Sequence, residues 1–137
     1  MNAPTLPPGY RETRLVDPFE IFVGPVYETG ERPARRFALA VDARHVNMRG
    51  VVHGGMLMTF ADLVLGQAVW DATDDAPAVT MNMQSQFLKT AKAGDLLEVR
   101  PEITRRTRAL VFARGDFTVA GEVIFAAASV WKLLGRD

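Results

Sequence analysis

Apolar and polar positions follow two different periods along this chain, and the change between them predicts one long helix among several strands. From residue 54 to about residue 71, apolar side chains fall on almost every side of a helix, which is typical of a helix buried within a domain. After a turn at residues 71–77, residues 79–87 alternate with a clean two-residue period, as expected of a strand.

Further strands are predicted on both sides of these two elements. Residues 25–29 and 34–41 form a predicted hairpin around a turn at 30–33. Beyond a turn at residues 89–94, the predicted strands are 97–103, 109–119 and 123–134, with a hairpin tip at 104–108 and a turn at 120–122. Pro101 indicates an edge or a bulge, because proline cannot donate to a strand ladder. The last strand is apolar at nearly every position, which favours a strand covered on both faces.

This order of elements favours an α+β fold with one central helix. Residues 19–22 add a short apolar patch that is either a helical turn or the start of a strand. One helix cannot cover both faces of an antiparallel sheet of five to six strands. We therefore expect the sheet to wrap around the helix and the remaining apolar surface to be buried against a second copy.

Length and composition favour a single folded domain. With 137 residues, of which 48% are hydrophobic, the chain is long enough for one core. We expect residues 1–17, which contain several prolines, to be a flexible N-terminal segment and residues 18–137 to be the domain. The first residues lack a charged leader with an apolar core, and no apolar run is long enough to span a bilayer, so we expect a soluble cytoplasmic protein.

Charge and the scarcity of metal ligands exclude several function classes. The 16 basic and 16 acidic residues cancel, unlike the strongly basic surface of a nucleic-acid-binding protein. The absence of cysteine excludes disulfides, thiolate catalysis and cysteine metal sites. Only two histidines are present, His45 and His53, and no carboxylate cluster has the spacing of a metal site, so we expect neither a metal nor another cofactor.

One stripe of the predicted helix is small and polar instead of apolar. Its residues follow spacings of four, three and four, which place them on one face: Gly55, Thr59, Asp62 and Gly66. An ionised carboxylate in an otherwise apolar helix is costly unless it is hydrogen-bonded or close to solvent. Asp62 is therefore either a functional acid or a residue that caps a neighbouring backbone amide, and the small residues around it favour function.

The segment before the helix contains groups suited to polarising a carbonyl. Gly54 and Gly55 begin the helix, where free amide groups and the helix dipole favour negative charge. Gly54 could donate its N–H to a carbonyl oxygen, with Asn47 and His53 beside it, although glycine here is also compatible with a simple tight turn. Thr80, near the start of the following strand, is a candidate for holding a water molecule.

Basic side chains cluster at two turns. Arg105, Arg106 and Arg108 lie at the predicted hairpin tip, and Lys89 and Lys92 lie in the preceding turn. A solvated loop explains such residues, but a molecule with phosphate groups would also bind to them.

A composite motif resembles that of a known family. It comprises Asn47-x-x-Gly50-x-x-His53-Gly54-Gly55, followed by an apolar helix that contains Ala61-Asp62. This combination is similar to the hotdog-fold acyl-CoA thioesterases of the phenylacetate-pathway and thioesterase-superfamily-member-2 type, from about residue 24 to the last strand. The resemblance implies a central helix wrapped by a curved antiparallel sheet, two subunits joined sheet edge to sheet edge, and the pairing of dimers into a homotetramer.

The resemblance also implies a role for each candidate site residue. Asp62, contributed from the other subunit, matches the catalytic carboxylate, which activates water as a general base or attacks directly as a nucleophile. Gly54 matches the backbone donor to the thioester carbonyl, with Asn47 and His53 as the polar residues beside it. Thr80 matches a residue that positions water. The basic residues loosely match a group that holds the CoA phosphates: Arg105, Arg106, Arg108, Lys89 and Lys92.

Hydrolysis of an acyl-CoA thioester to a carboxylic acid and CoA is therefore the expected function, without nucleic acid, membrane or cofactor as a partner. A hotdog hydratase or dehydratase, a non-catalytic acyl-CoA-binding protein and a purely structural oligomeric domain are the alternatives. The acyl group is left open among aromatic, medium-chain and long-chain types, as is the choice between dimer and tetramer.

Overall fold

A long helix packed on one antiparallel sheet makes up the fold. The computed structural model describes residues 5–136. The central helix α2 spans Gly54–Thr73 and a shorter helix, α1, spans Pro18–Val23. Neither helix of the described range is long and apolar enough to cross a bilayer. The strands in chain order are β1 (Arg11–Glu12), β2 (Tyr27–Thr29), β3 (Arg36–Ala40), β4 (Ala78–Phe87), β5 (Leu96–Val99), β6 (Glu102–Arg106), β7 (Leu110–Val119) and β8 (Glu122–Leu133).

The sheet contains eight strands, so the prediction of five to six was too low. Its order is β1-β2-β3-β5-β7-β8-β4, and β6 lies off this path, paired with β7. One additional strand, β1, comes from the N-terminal segment and pairs with β2. The other arises at Pro101, where the strand predicted over 97–103 divides into β5 and β6, which both pair with β7. Because proline has no N–H for the ladder, the pairing is interrupted there.

Two details of the predicted meander were wrong. Residues 104–106 belong to β6, so the hairpin tip is shorter than predicted and consists of residues 107–109. There the hydroxyl of Thr107 accepts the Leu110 N–H at 3.0 Å, which closes the turn. The last strand, β8, alternates instead of being covered on both faces: Ala127 is buried whereas Ala128 is exposed. Among the described residues of one protomer, outer-face positions of the sheet such as Asp116 and Ala128 are exposed to solvent.

Three aromatic side chains fix α2 on the sheet. Phe60 of α2 packs edge-on against Phe117 of β7, with the ring centroids 5.6 Å apart. Phe117 in turn contacts Phe125 of β8 at a centroid distance of 5.3 Å. All three are fully buried, and burial of each such side chain stabilises the fold by about 1.5–3 kcal/mol. The core therefore lies between the helix and one face of the sheet.

A buried ionic network fastens the end of α2 to the β2–β3 hairpin. Arg35 is 9% exposed and donates to Glu28 at 3.0 Å and to Asp71 at 2.5 and 2.8 Å. It also donates to Oε1 of Gln67 at 2.9 Å. Asp71 accepts a further hydrogen bond from Arg32 at 2.6 Å. Because each buried charge in this network has a partner of opposite sign, its burial is tolerated.

Part of the N-terminal segment contacts the sheet. Residues 1–4 lie outside the described residues. In the remainder of the segment, β1 pairs with β2 and the Tyr10 hydroxyl donates to Glu98 at 2.8 Å. The predicted domain boundary after residue 17 stays a prediction.

Replacing Arg35 by methionine is expected to lower the free energy of unfolding by about 3–5 kcal/mol, because Glu28 and Asp71 would lose a shared buried cation. Arg114→Met is the matched control, since Arg114 pairs with Asp116 at the surface, where such a pair contributes about 0–1 kcal/mol. Urea denaturation followed by circular dichroism measures both changes. Equal losses in the two variants would contradict the structural role of the buried network.

Candidate active site

Asp62 lies near the middle of α2, on the least buried side of the helix. All four residues of the predicted stripe, which includes Gly55, Thr59 and Gly66, are partly or fully exposed, whereas eleven other residues of α2 are buried. The stripe is therefore the side on which the sheet leaves the helix open.

The hydroxyl of Thr80 contacts Asp62 from the facing strand. Thr80 Oγ1 donates to Asp62 Oδ1 at 2.6 Å. Within residues 5–136 no backbone N–H donates to this carboxylate. The second carboxylate oxygen, Oδ2, thus has its hydrogen-bonding capacity free for a ligand or a water molecule.

A β-bulge in β4 turns Thr80 toward the helix. The pairing with β8 shifts between Thr80 and Asn82, so Met81 is the extra residue. In a regular strand Thr80 and Met83 would point to opposite faces, because side chains alternate. Here Thr80 bonds to Asp62 and Met83 packs on the core, so both face α2. The predicted clean two-residue period was wrong at this point, and the irregularity brings the hydroxyl to the acid.

Two cavities meet at Asp62. The first, of about 260 Å³, is called the tryptophan cavity here; its lining includes Asp62, Thr80, Gln67, Trp70 and Trp131. The second, of about 300 Å³, is called the methionine cavity; its lining includes Asp62, Phe19, Thr59, Met58 and Met83. The carboxylate therefore lies where a substrate could approach from either side.

Glu20 is a carboxyl group at this site that the sequence analysis missed. It belongs to α1, which confirms the helical alternative for residues 19–22, and it lines both cavities. Burial raises the pKa of Glu20 to about 7, with further contributions from the negative charges of Asp17 and Asp62. A single acid between the apolar residues Phe19 and Ile21 was the available signal in the sequence.

The glycine turn at the start of α2 presents a backbone amide. His53 caps the helix, because its Nδ1 accepts the Gly55 N–H at 2.9 Å, and the proton of the neutral ring is therefore on Nε2. Among residues 5–136, no acceptor contacts the Gly54 N–H. A Cβ atom at position 54 would lie 3.2 Å from the Phe87 ring, so glycine also allows this ring to cover the turn.

A buried histidine connects the same turn to α1. His45 Nδ1 accepts the Asp42 N–H at 3.0 Å, and Nε2 donates to the carbonyl of Val23, at the end of α1, at 2.7 Å. The carbonyl of His45 accepts the N–H of His53 at 2.8 Å. His45 is 2% exposed, so its function is to hold these segments together.

Asn47 shapes the loop that leads to the turn. Its Oδ1 accepts the N–H of Arg49 at 2.9 Å and that of Val51 at 3.4 Å. Gly50, with a φ of 78°, provides the left-handed conformation of this loop. The side-chain oxygen of Asn47 is therefore occupied, which leaves its NH₂ group for a ligand.

One chain does not bring the acid and the glycine turn together. Gly54 and Asp62 are eight residues apart on α2, which corresponds to about 12 Å along the helix axis. A single carbonyl group could not contact both within one protomer.

The predicted basic residues fall into two groups at opposite ends of α2. Arg106 donates to the carbonyl of Ala72, near the C-terminal end of the helix, at 2.5 Å. Lys92 pairs with Val51, shortly before the N-terminal end. The two ends of this 20-residue helix are about 30 Å apart. The other exposed basic residues lie with one group or the other: Arg105 and Arg108 with Arg106, and Lys89 with Lys92.

Comparisons with known proteins identify relatives of the whole chain. The model of the Thioesterase superfamily matches residues 49–126. A protein of Pseudomonas aeruginosa, provisionally named an esterase, is 30% identical over 138 residues, which cover 97% of this chain and 98% of that protein. Acyl-coenzyme A thioesterase 13 of Mus musculus is 29% identical over 80 residues, 58% of this chain and 57% of that protein.

A solved structure supports the same relationship. The zebrafish thioesterase superfamily member 2 superposes with a TM-score of 0.74 at 26% identity, over 79% of this chain and 80% of that chain. This similarity confirms the predicted hotdog fold.

The carboxyl group of Glu20 is expected to titrate near pH 7 instead of 4.5. Since the folded state then retains a proton that the unfolded chain releases, the stability contributed by Glu20 falls as pH rises from about 4.5 to about 7. Carboxyl carbon NMR measures the titration, and in Asp62→Asn the pKa is expected to fall because one negative charge is lost. Asp116→Asn is the control for the lost charge, because Asp116 is exposed on the outer face of the sheet. It is expected to leave the pKa of Glu20 unchanged. A wild-type titration near 4.5 would contradict the placement of Glu20 between the cavities.

Proposed function

Because the chain belongs to the thioesterase superfamily, we propose that it hydrolyses an acyl-CoA thioester to a free carboxylic acid and CoA. The name of the mouse relative supports acyl-CoA as the substrate class. The observation that carries the proposal is the Asp62–Thr80 pair, a carboxylate held by a hydroxyl at 2.6 Å where two cavities meet.

Asp62 is proposed as the general base. Thr80 donates to Oδ1, so Oδ2 can accept a proton from water while the Thr80 oxygen accepts the second hydrogen of the same water. The water oxygen attacks the thioester carbonyl carbon, and its proton passes to Asp62. When the tetrahedral intermediate collapses, the C–S bond breaks and the CoA thiolate takes that proton. The steps use only protein groups and water.

Direct attack by the Asp62 carboxylate is the competing route, and it would give a mixed anhydride that water then opens. The hydrogen bond from Thr80 stabilises the carboxylate against proton transfer and against nucleophilic attack alike, so it favours neither route.

The carbonyl oxygen is proposed to bind the Gly54 N–H of a second copy. This amide has no acceptor among the described residues, and it lies at the positive end of α2. Because this amide lies about 12 Å along the helix axis from Asp62 of its own chain, we propose that the acid comes from the other copy. His53 and Asn47 contribute by holding the turn in place and by offering N–H groups to the substrate.

Strand β4 is proposed as the contact between the two copies. It is the last strand in the order of the sheet. Three of its apolar residues are about half exposed, at 46% for Val79, 58% for Met81 and 55% for Phe87. A long apolar edge strand favours aggregation when it is left open, and pairing with a second copy would cover it. The pairing of such dimers into a tetramer stays a prediction.

Lys89 and Lys92 are the basic residues best placed for the CoA phosphates. Lys92 pairs with Val51 just before the glycine turn, close to the amide that would bind the thioester carbonyl. For Arg105, Arg106 and Arg108, at the other end of α2, binding of CoA phosphates stays a prediction.

The alternative functions fit the site less well. A hydratase or dehydratase would need a histidine–aspartate pair for acid–base chemistry, whereas Nδ1 of His53 is occupied as the cap of α2. A non-catalytic binding protein or a structural domain would not release thiol from acyl-CoA, so a thiol-release assay separates both from a hydrolase.

Asp62→Asn is expected to lower kcat by roughly a hundredfold or more, because an amide cannot accept the proton of water. Thiol release across a panel of acyl-CoA esters measures the loss, and circular dichroism checks the fold. Thr80→Val keeps the side-chain shape without the hydroxyl and is expected to lower kcat less, with KM nearly unchanged. Near-normal turnover by Asp62→Asn would remove this residue from the mechanism, and a change confined to KM would make Thr80 a binding residue.

A mixture of two inactive variants tests whether the site is shared between chains. Gly54→Pro removes the amide N–H, and proline is tolerated at the first position of a helix. In a mixed dimer of Gly54→Pro and Asp62→Asn chains, one of the two sites keeps both an intact amide and an intact acid. Random mixing is expected to restore about a quarter of wild-type turnover.

Gly54→Ala is the control for shape, because it keeps the N–H while adding a methyl group 3.2 Å from the Phe87 ring. It is expected to retain far more activity than Gly54→Pro. Native mass spectrometry verifies that mixed dimers form. An inactive preparation that contains them would show that both groups act within one chain.

A further inference from the structure

Gln67 is a buried amide on the wall of the tryptophan cavity. It lies on α2 five residues after Asp62, is 7% exposed, and shares this wall with Trp70 and Trp131. A glutamine buried this deeply in an apolar helix needs partners for both ends of its amide. One end has a partner in the protein.

The orientation of the amide is fixed by Arg35. The guanidinium donates to Gln67 Oε1 at 2.9 Å. Because a guanidinium group only donates, the amide oxygen has to face Arg35 and the nitrogen has to face away from it. Arg35 is held in turn by Glu28 and Asp71, so a buried network sets the direction of the amide.

Gln67 borders two cavities, and Arg35 lines only one of them. A neighbouring cavity of about 440 Å³ is lined by Gln67 and also by Arg35, so it lies on the oxygen side of the amide. Arg35 is not part of the lining of the tryptophan cavity. Among residues 5–136, no oxygen accepts from Gln67 Nε2. Within the described residues the buried side-chain atoms without a partner are Thr13 Oγ1 and Ser85 Oγ, so the Gln67 nitrogen is accessible to water. A bound molecule could replace that water and accept from the nitrogen.

The shape of the tryptophan cavity suits an acyl group. Asp62 and Thr80 line it beside the proposed point of attack, and Leu63 and the two tryptophans give it apolar walls. Gly66 lets Trp131 pack closely on the helix, since a Cβ there would lie 3.0 Å from the ring. Gln67 is about 7.5 Å beyond Asp62 along the helix axis, so its donor is remote from the thioester carbonyl.

We propose that the tryptophan cavity binds the acyl group and that Gln67 selects acyl groups with a hydrogen-bond acceptor, such as a keto or hydroxyl oxygen, remote from the thioester. The acceptor has to be uncharged, because the carboxyl groups of Asp17, Glu20 and Asp62 line the same cavity and would repel a second carboxylate. This assignment rests on the proposed thioesterase function and names its substrate class.

Matched pairs of acyl-CoA esters test the assignment. The ketones are 5-oxohexanoyl-, 6-oxoheptanoyl- and 7-oxooctanoyl-CoA, each compared with the unsubstituted ester of the same chain length. A ketone accepts but cannot donate, so Nε2 is a suitable partner for it. For the best-placed ketone, wild-type kcat/KM is expected to exceed that of its unsubstituted partner by about tenfold. Suberoyl-CoA, which ends in a carboxylate, is expected to be a poorer substrate than octanoyl-CoA.

Two substitutions separate the donor from its contact with Arg35. Gln67→Met removes both ends of the amide at similar size. Gln67→Glu keeps an oxygen for Arg35 but replaces the donor by a second oxygen. Both are expected to bring the ratio of kcat/KM within each pair close to one. Thr104→Glu adds the same charge to an exposed position on β6, outside the lining of the tryptophan cavity, and is expected to keep the wild-type ratio.

Equal wild-type kcat/KM within every pair would overturn the assignment, as would an unchanged ketone preference in Gln67→Met. If none of the esters releases thiol, the proposed hydrolysis is wrong. Calorimetry then measures the binding of the same pairs of esters to the protein. Tighter binding of a ketone than of its unsubstituted partner would support the role of Gln67, and equal binding would contradict it.

Discussion

A helix that is apolar on nearly every side has to be covered on nearly every side, and this requirement sets the arrangement of the other elements. Eleven residues of α2 are buried, and aromatic side chains of β7 and β8 hold the helix on the sheet. The stripe around Asp62 is covered less completely, by β4 and α1, and the two cavities lie there. The closed sides of the helix exclude water, so polar chemistry is confined to this stripe.

Two carboxylates on α2 show that partners, more than residue type, determine what a buried acid can do. Asp71, whose side chain is 2% exposed, is paired with both Arg32 and Arg35. Asp62 instead accepts a hydrogen bond from the neutral hydroxyl of Thr80. Both oxygens of Asp71 accept hydrogen bonds from guanidinium groups, whereas Asp62 keeps one oxygen for water. The first stabilises the fold, and the second is available for the proposed reaction.

Local periodicity predicted much of the fold, but contacts between distant segments did not follow from it. The helix predicted over 54–71 ends two residues later, and the hairpin and meander strands lie close to where they were expected. The bulge at Met81 is defined only by its pairing with β8, so a single strand pattern could not show it. Glu20 and Gln67 were missed for a related reason. The position of α1 beside Asp62 depends on tertiary contacts. Gln67 is oriented by Arg35, which is 32 residues away in the sequence.

The buried imidazole of His45 has a consequence for an assembly of two copies. It bonds to the end of α1, and the backbone of the same residue bonds to the cap of α2. In the proposed dimer, α1 borders the acid of one active site while the glycine turn of the same chain serves the other. In such a dimer one buried residue would therefore connect the surroundings of the two active sites.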